Sequence, residues 1–276
     1  TMDRIQKALD KAKAQQQGKR NEPQPEEVKP PQQAIEKDTT DISNIAYTQT
    51  KVIDVTENTL ADKRIIAAQY SNPQSGAFRM LRTQVLQKMR DNNWQTLAIT
   101  SPTAGEGKSL VASNLAVAMA METNQTVLLV DLDLRHPRLS DYFSLNAKGG
   151  LKDYLEGDLE LSDILINPGV KGLVILPGKG RAEDSAELLS GAKMSNLVSN
   201  LKAQYDSRMI IFDMPPILQT DDVLLASSYI DSTLLVIEDG KNKEAEITKS
   251  MQLLNGTHFI GSVLNKSEKP PMHQNY

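Results

Sequence analysis

The chain has 276 residues, 39% of them hydrophobic and only 4% aromatic, with a formal net charge of −4 and no cysteine. The absence of cysteine removes disulfides, thiolate metal ligands, iron–sulfur clusters and a cysteine nucleophile, and the mildly acidic balance gives no reason to expect a nucleic-acid surface. No run approaches the roughly 18 apolar residues of a membrane-spanning helix, and no signal-peptide core is present, so a soluble cytoplasmic protein is expected.

Thr1 ahead of Met2 reads as an expression scar. Residues 1–14 carry Ile5, Ala8, Leu9 and Ala12 on one helical face, with Arg4, Lys7, Lys11 and Lys13 around it. This is either a short surface helix or a basic docking segment for a partner or a membrane. Residues 15–61 form the expected flexible linker, rich in Gln, Glu and Lys and interrupted by Pro23, Pro25, Pro30 and Pro31. The mean hydropathy of −0.40 fits a sizeable polar segment of this kind.

Order is expected from Asp62 onward, in a domain spanning 62–266 ahead of a short tail, 267–276. Phe78, Leu81, Val85 and Met89 recur at helical spacing, with Arg79 and Arg82 three residues apart on a neighbouring face. Strands are predicted at Leu97–Thr100, Thr126–Val130, Leu173–Leu176, Met209–Phe212, Ser232–Ile237 and Phe259–Leu264. Helices are predicted between them, among them Ser109–Met121, Met194–Ala203 and Lys243–Leu253. Such alternation gives an α/β fold, a mostly parallel sheet with helices on both faces.

Ser101-Pro-Thr-Ala-Gly-Glu-Gly-Lys108-Ser109 falls between a predicted strand and a predicted helix, the context that a P-loop requires. Gly105 and Gly107, flanking Glu106, permit the backbone conformations that turn several N–H groups toward one anion. Lys108 would contact the β- and γ-phosphates of ATP, and the Ser109 hydroxyl would bind Mg2+. The first glycine of the usual motif is replaced by Pro102. Met209-Ile-Ile-Phe-Asp213 is a buried parallel strand ending in a carboxylate, where ligands bind in such sheets and where an acid can hold Mg2+. Val127-Leu-Leu-Val-Asp131-Leu-Asp133-Leu-Arg135 ends in two carboxylates on the same side of the backbone. One can bind Mg2+ while the other accepts a hydroxyl proton, and Arg135 can pair with a carboxylate or a phosphate.

In combination and in order, these motifs resemble the bacterial tyrosine kinases, or BY-kinases, and more narrowly the CpsD/CapB-type kinases of capsule and exopolysaccharide systems. Further matches run through Gly149-Gly-Leu-Lys-Asp-Tyr-Leu-Glu-Gly157, Ile175-Leu-Pro-Gly178, Glu187-Leu-Leu189, Asp222 and Gly261-Ser-Val-Leu-Asn265, so the resemblance covers about Asp62 to Lys266. It implies a P-loop NTPase fold of the SIMIBI/MinD-like branch and phosphoryl transfer from ATP·Mg2+ to tyrosine. It also implies Lys108 and Ser109 at ATP·Mg2+, Asp131 and Asp133 at the metal and the tyrosine hydroxyl, Asp213 at Mg2+ and Asn265 near the adenine. The implied partners are a membrane polysaccharide co-polymerase that activates the kinase at the inner face of the plasma membrane, and further copies of the chain.

Two positions depart from the family pattern. The tail has Tyr276 as its sole tyrosine, the phospho-acceptor candidate, where the family usually has a cluster. The ring-forming Glu-x-x-Arg-x-x-Arg helix keeps Arg79 and Arg82 but has Gly76 at its first position. Two other readings compete, a ParA/MinD-like ATPase and a nucleotide-binding scaffold without catalysis. Thr103, where ParA/MinD proteins carry a second lysine, and Pro270 and Pro271 in the tail stand against the first.

Overall fold

The structure, a computed structural model, describes residues 50–204 and 207–268. The helix expected at 1–14 and Tyr276 lie outside the described residues. Eight strands make one sheet in the order β1-β4-β5-β3-β6-β2-β7-β8. They are β1 (Lys51–Val52), β2 (Thr96–Thr100), β3 (Thr126–Asp131), β4 (Ile166–Asn167), β5 (Leu173–Leu176), β6 (Arg208–Asp213), β7 (Ser232–Glu238) and β8 (Phe259–Asn265). All six strands predicted from the sequence are present, and β3, β6, β2, β7, β8 and β5 run parallel. The two-residue strands β1 and β4 pair parallel with each other, and β4 joins β5 antiparallel.

Alternation along the strands divides the core in two. Leu97, Ile99, Val127, Leu129, Ile175 and Ile211 face one side, whereas Ala98, Leu128, Val130, Leu176, Ile210 and Phe212 face the other. Every second side chain must point to the opposite face of a strand, so strands that are apolar throughout require a cover on both sides. The first side is covered by α1 (Glu57–Asp62), α2 (Ser75–Asp91), α3 (Lys108–Ala120) and α4 (Leu139–Tyr142). α5 (Leu151–Glu156), α6 (Leu161–Ile164), α7 (Ser185–Ser190), α8 (Ala192–Gln204) and α9 (Asp222–Leu225) cover the second, with α10 (Glu244–Leu253) beside them. α2 buries Val85 and Met89, with Phe78 and Leu81 packed against the same core, as the helical spacing requires. Trp94 is half-buried and stacks on His258 with ring centroids 4.9 Å apart, a packing role.

The expected linker boundary at residue 61 is corrected by the structure. Residues 50–61 are already folded: β1 adds to the sheet edge, and Thr56 caps α1 by accepting the Thr59 N–H at 3.2 Å. Leu60 and Ile65 enter the core. A polar stretch hid one buried leucine, and α1 is too short for a period to show. No described helix is long and apolar enough to cross a membrane.

Candidate functional site

The parallel strands bring three acidic or phosphate-binding segments to one edge. Asp131 at the end of β3 is the direct cross-strand neighbour of Asp213 at the end of β6, and Ile99, next to the end of β2, is the other neighbour of Asp213. The loop between β2 and α3 therefore begins beside the two carboxylates. Gly105 (φ 94°) and Gly107 (φ 92°) both lie in the left-handed region, which a side chain makes costly. At Gly107 there is also no room, because a Cβ would run into the Asn265 side chain.

Other elements hold this loop from outside. Ser101 Oγ donates to Thr103 O at 2.7 Å, and Lys241 Nζ and Lys266 Nζ donate to the carbonyls of Ala104 (2.6 Å) and Gly105 (2.7 Å). Glu106 is fully buried; its carboxylate accepts from the Thr103 hydroxyl and from Asn242 Nδ2 at 3.0 Å and lies 3.4 Å from Lys241 Nζ. Burial works to raise its pKa, but these hydrogen bonds outweigh it and hold the group below the usual carboxylate range. Glu106 thus fastens the loop, with its side chain turned into the protein. Asn265 Nδ2 donates to Glu106 O at 2.7 Å, so the structure gives Asn265 a partner in the P-loop backbone. Lys241, Lys266 and Asn242 carry no motif that a sequence reading could have used.

Lys108 Nζ sits among the acids, 2.9 Å from Asp133 Oδ2, 3.4 Å from Asp213 Oδ1 and 3.3 Å from Ser109 Oγ. Burial alone would lower its pKa, but Asp213 and Asp133 raise it well above the usual lysine range, so it stays charged. Asp131 Oδ2 accepts the N–H groups of Arg138 (2.9 Å) and Leu139 (3.0 Å), and Asp133 Oδ1 accepts that of His136 (3.0 Å). Asp131 Oδ1 and Asp213 Oδ2 are buried without a partner. Burial, reinforced by the neighbouring Asp213, pushes Asp131 up to about 8; burial also raises Asp213, against the pull of Lys108 and Ser109. Two buried carboxylates with orphaned oxygens beside a serine hydroxyl fit a divalent cation with oxygen ligands.

Arg135 turns the other way. Its Nε donates to Ser185 Oγ at 2.9 Å and lies 3.9 Å from Asp222 Oδ2, while Ser185 Oγ donates to Asp222 at 3.1 Å. Of the two partners its sequence position allowed, the structure supplies the carboxylate, and Arg135 does not line the phosphate cleft. Gly178 explains why a glycine stands in the β5 loop: a Cβ there would lie 2.6 Å from Pro137 Cβ and 3.2 Å from Asp131 Cγ.

In front of the loop opens a cleft of about 470 Å3, lined by Lys108, Ser109 and Asp133 and, at its mouth, by Lys63, Arg138 and Tyr142. Lys63 could not be foreseen as part of it. Its presence depends on Asn114 of α3, whose Oδ1 accepts the N–H groups of Ile66 (2.8 Å) and Ala67 (3.1 Å) and whose Nδ2 donates to Arg64 O (3.0 Å). An asparagine buried within a largely apolar helix was the available signal.

Fold and site together define a P-loop NTPase of the MinD-like branch. Residues 94–255 match the family model described as an AAA domain. MinD from Pyrococcus horikoshii, solved with Mg-ADP, is 27% identical with a TM-score of 0.53, covering 64% of this chain and 74% of that one. Closer in sequence is the tyrosine-protein kinase YwqD of Bacillus subtilis, 33% identical over 204 residues, 73% of this chain and 84% of that protein. The tyrosine-protein kinase CpsD of Streptococcus agalactiae is 32% identical over 192 residues, 68% of this chain and 82% of its own length. The chain belongs to the bacterial tyrosine-protein kinases and is an ATP-dependent protein-tyrosine kinase. The chimerical protein CapA2B2 superposes with a TM-score of 0.69 at 29% identity, covering 79% of this chain and 94% of that one.

Proposed function

We propose that the chain is a Mg2+·ATP-dependent tyrosine autokinase that works on the inner face of the plasma membrane with a membrane co-polymerase, and that its phosphorylation state regulates the length and export of an exopolysaccharide or capsule. The observation that carries the reading is the cluster of Asp131, Asp133 and Asp213 around Lys108, next to Ser109, at the mouth of a P-loop. The CapA2B2 chimera, a structure of like fold, and the CpsD/CapB-type motifs support the partner and the polysaccharide context.

In this reading the loop N–H groups and Lys108 hold the β- and γ-phosphates. Ser109, Asp131 and Asp213 hold Mg2+, which supplies positive charge toward the phosphate oxygens. Lys108 exchanges its carboxylate partners for phosphate when ATP enters, which frees Asp133 Oδ2. Asp133 takes the proton of the tyrosine hydroxyl as its oxygen bonds to the γ-phosphorus; the bond to the β–γ bridging oxygen breaks and ADP leaves. Glu106, Lys241, Lys266 and Asn265 keep the loop shaped, and Arg135 steadies the β3 loop through Ser185 and Asp222. Tyr276 is one acceptor candidate. Gly76 removes the Glu pairing of the family's ring, so a homo-oligomer of this chain would have to be held by other contacts.

The test is incubation of the purified chain with ATP and Mg2+, with and without the co-polymerase's cytoplasmic segment, with phosphosites mapped by mass spectrometry. Phosphotyrosine that disappears in Lys108→Met supports the reading. ATP hydrolysis without phosphotyrosine, even with the partner, refutes it in favour of an ATPase or a scaffold.

A further inference from the structure

We propose that the mouth of the cleft is an acceptor-binding rim that selects tyrosines flanked by acidic residues, through Lys63, Arg138 and Arg181. The inference rests on the kinase reading of the site and goes beyond it by naming the acceptor's chemistry.

The floor and the rim of the cleft carry opposite charge. The floor holds the carboxylates Asp131, Asp133 and Asp213 against the single cation Lys108. Above it, Lys63 and Arg138 are exposed at the mouth with His136. Arg181 is joined to that group, because its guanidinium donates to His136 Nε2 at 2.7 Å and to Arg135 O at 3.1 Å. None of Lys63, Arg138 and Arg181 forms a salt bridge with a described carboxylate. Lys266, by contrast, pairs with Glu238 at 3.0 Å. Among the described residues lining the mouth, Asp141 is the sole acid outside the catalytic floor.

The rim is held in register with the chemistry. Lys63 ends α1, with its backbone N–H bonded to Thr59 O at 3.3 Å and Leu60 O at 3.1 Å. The next residues are fixed to α3 by the buried Asn114, five positions after Ser109. Arg138 is tied from the other wall, its N–H bonded to Asp131. Both cations are therefore referenced by the backbone to residues of the floor, while their side chains remain free to meet a ligand. Lys63 and Arg138 line the same cleft as Asp133, so a tyrosine that reaches Asp133 through it meets both cations. Carboxylates on either side of that tyrosine would gain charge-assisted contacts, and lysines there would meet like charge.

The test uses two synthetic peptides identical except that the tyrosine is flanked by Asp and Glu in one and by Lys in the other, with phosphorylation by the full chain followed at saturating Mg2+·ATP. The native protein is expected to favour the acidic peptide by roughly tenfold or more in kcat/KM, a preference that shrinks as salt is added. Lys63→Glu combined with Arg138→Glu is expected to invert the preference, whereas Lys63→Arg keeps it. Equal use of both peptides, or a preference unaltered by the charge reversal, would overturn the rim while leaving the kinase standing. Autophosphorylation of the chain with neither peptide labelled would overturn the rim alone, and consumption of ATP with no phosphotyrosine on either peptide or on the chain would overturn the kinase reading and the rim with it.

Discussion

Two carboxylate sites lie at opposite ends of the same sheet and are built in opposite ways. At the edge where β7 begins, Asp231 accepts the N–H groups of Gln95 (2.8 Å) and Thr96 (3.0 Å), and both its oxygens lie 2.9 Å from Lys202 Nζ. Burial would raise its pKa, but the Lys202 bond and the two backbone bonds hold it below the usual range. At the edge where β3 and β6 end, Asp131 and Asp213 are more deeply buried, each has an oxygen without a partner, and both are raised. Asp231 is saturated by its neighbours in the fold. Asp131 and Asp213, side by side and each kept partly unsatisfied, cost stability and retain capacity for a ligand.

The largest expected effect breaks the second site. Lys108→Met should cut phosphotyrosine formation by at least about a hundredfold, the scale of losing a preorganised charge in a reaction centre; quantitative mass spectrometry of the phosphorylated chain measures it. Removing the charge from the first site should act on stability instead. Asp231→Asn should lower the unfolding free energy by about 2 kcal/mol, because the charge-assisted bond to Lys202 is lost and the two backbone donors are left with a neutral amide oxygen in place of a carboxylate, with activity per folded molecule kept; urea unfolding reports it.

A smaller effect has the opposite sign. Folded Asp131 keeps its proton up to about pH 8, whereas in the unfolded chain it releases it near its ordinary value of 3.8. Between those values the folded protein binds the extra proton, so the stability this group contributes falls as pH rises. Asp131→Asn should therefore raise the melting temperature by roughly 3 °C at pH 8 and hardly at all at pH 4. A melting curve equally displaced at both pH values would contradict the sign. Gly178→Ala should cost less in folding than in activity, because its Cβ would press on Pro137 and the Asp131 carboxylate; comparing kcat with the melting temperature separates the two.

Much of this contrast was legible in the sequence. The apolar strands ending in Asp131 and Asp213 and the Gly105–Ser109 loop signal their own geometry, because a parallel strand buried on both faces has few other ways to end. The edge strands β1 and β4 were not legible, since two residues carry no period and their pairing is decided by what lies beside them. Asp231 was unreadable as well: its partners Lys202 and Gln95 are distant in sequence and belong to no motif. The same is true of Lys241 and Lys266 on the P-loop and of Lys63 at the cleft. Arg135 was visible as a charge in the right motif, but only the fold could choose between Asp222 and a phosphate.

The most direct test of the contrast is calorimetric titration of Mg2+ into the protein bearing a non-hydrolysable ATP analogue, at fixed pH, for the native chain and for Asp131→Asn, Asp213→Asn and Asp231→Asn. The account predicts that the first two variants lose Mg2+ binding by at least about tenfold, and that Asp231→Asn binds as the native chain does. Equal Mg2+ affinity in all four proteins would contradict it, because the orphaned oxygens of Asp131 and Asp213 would then hold no metal.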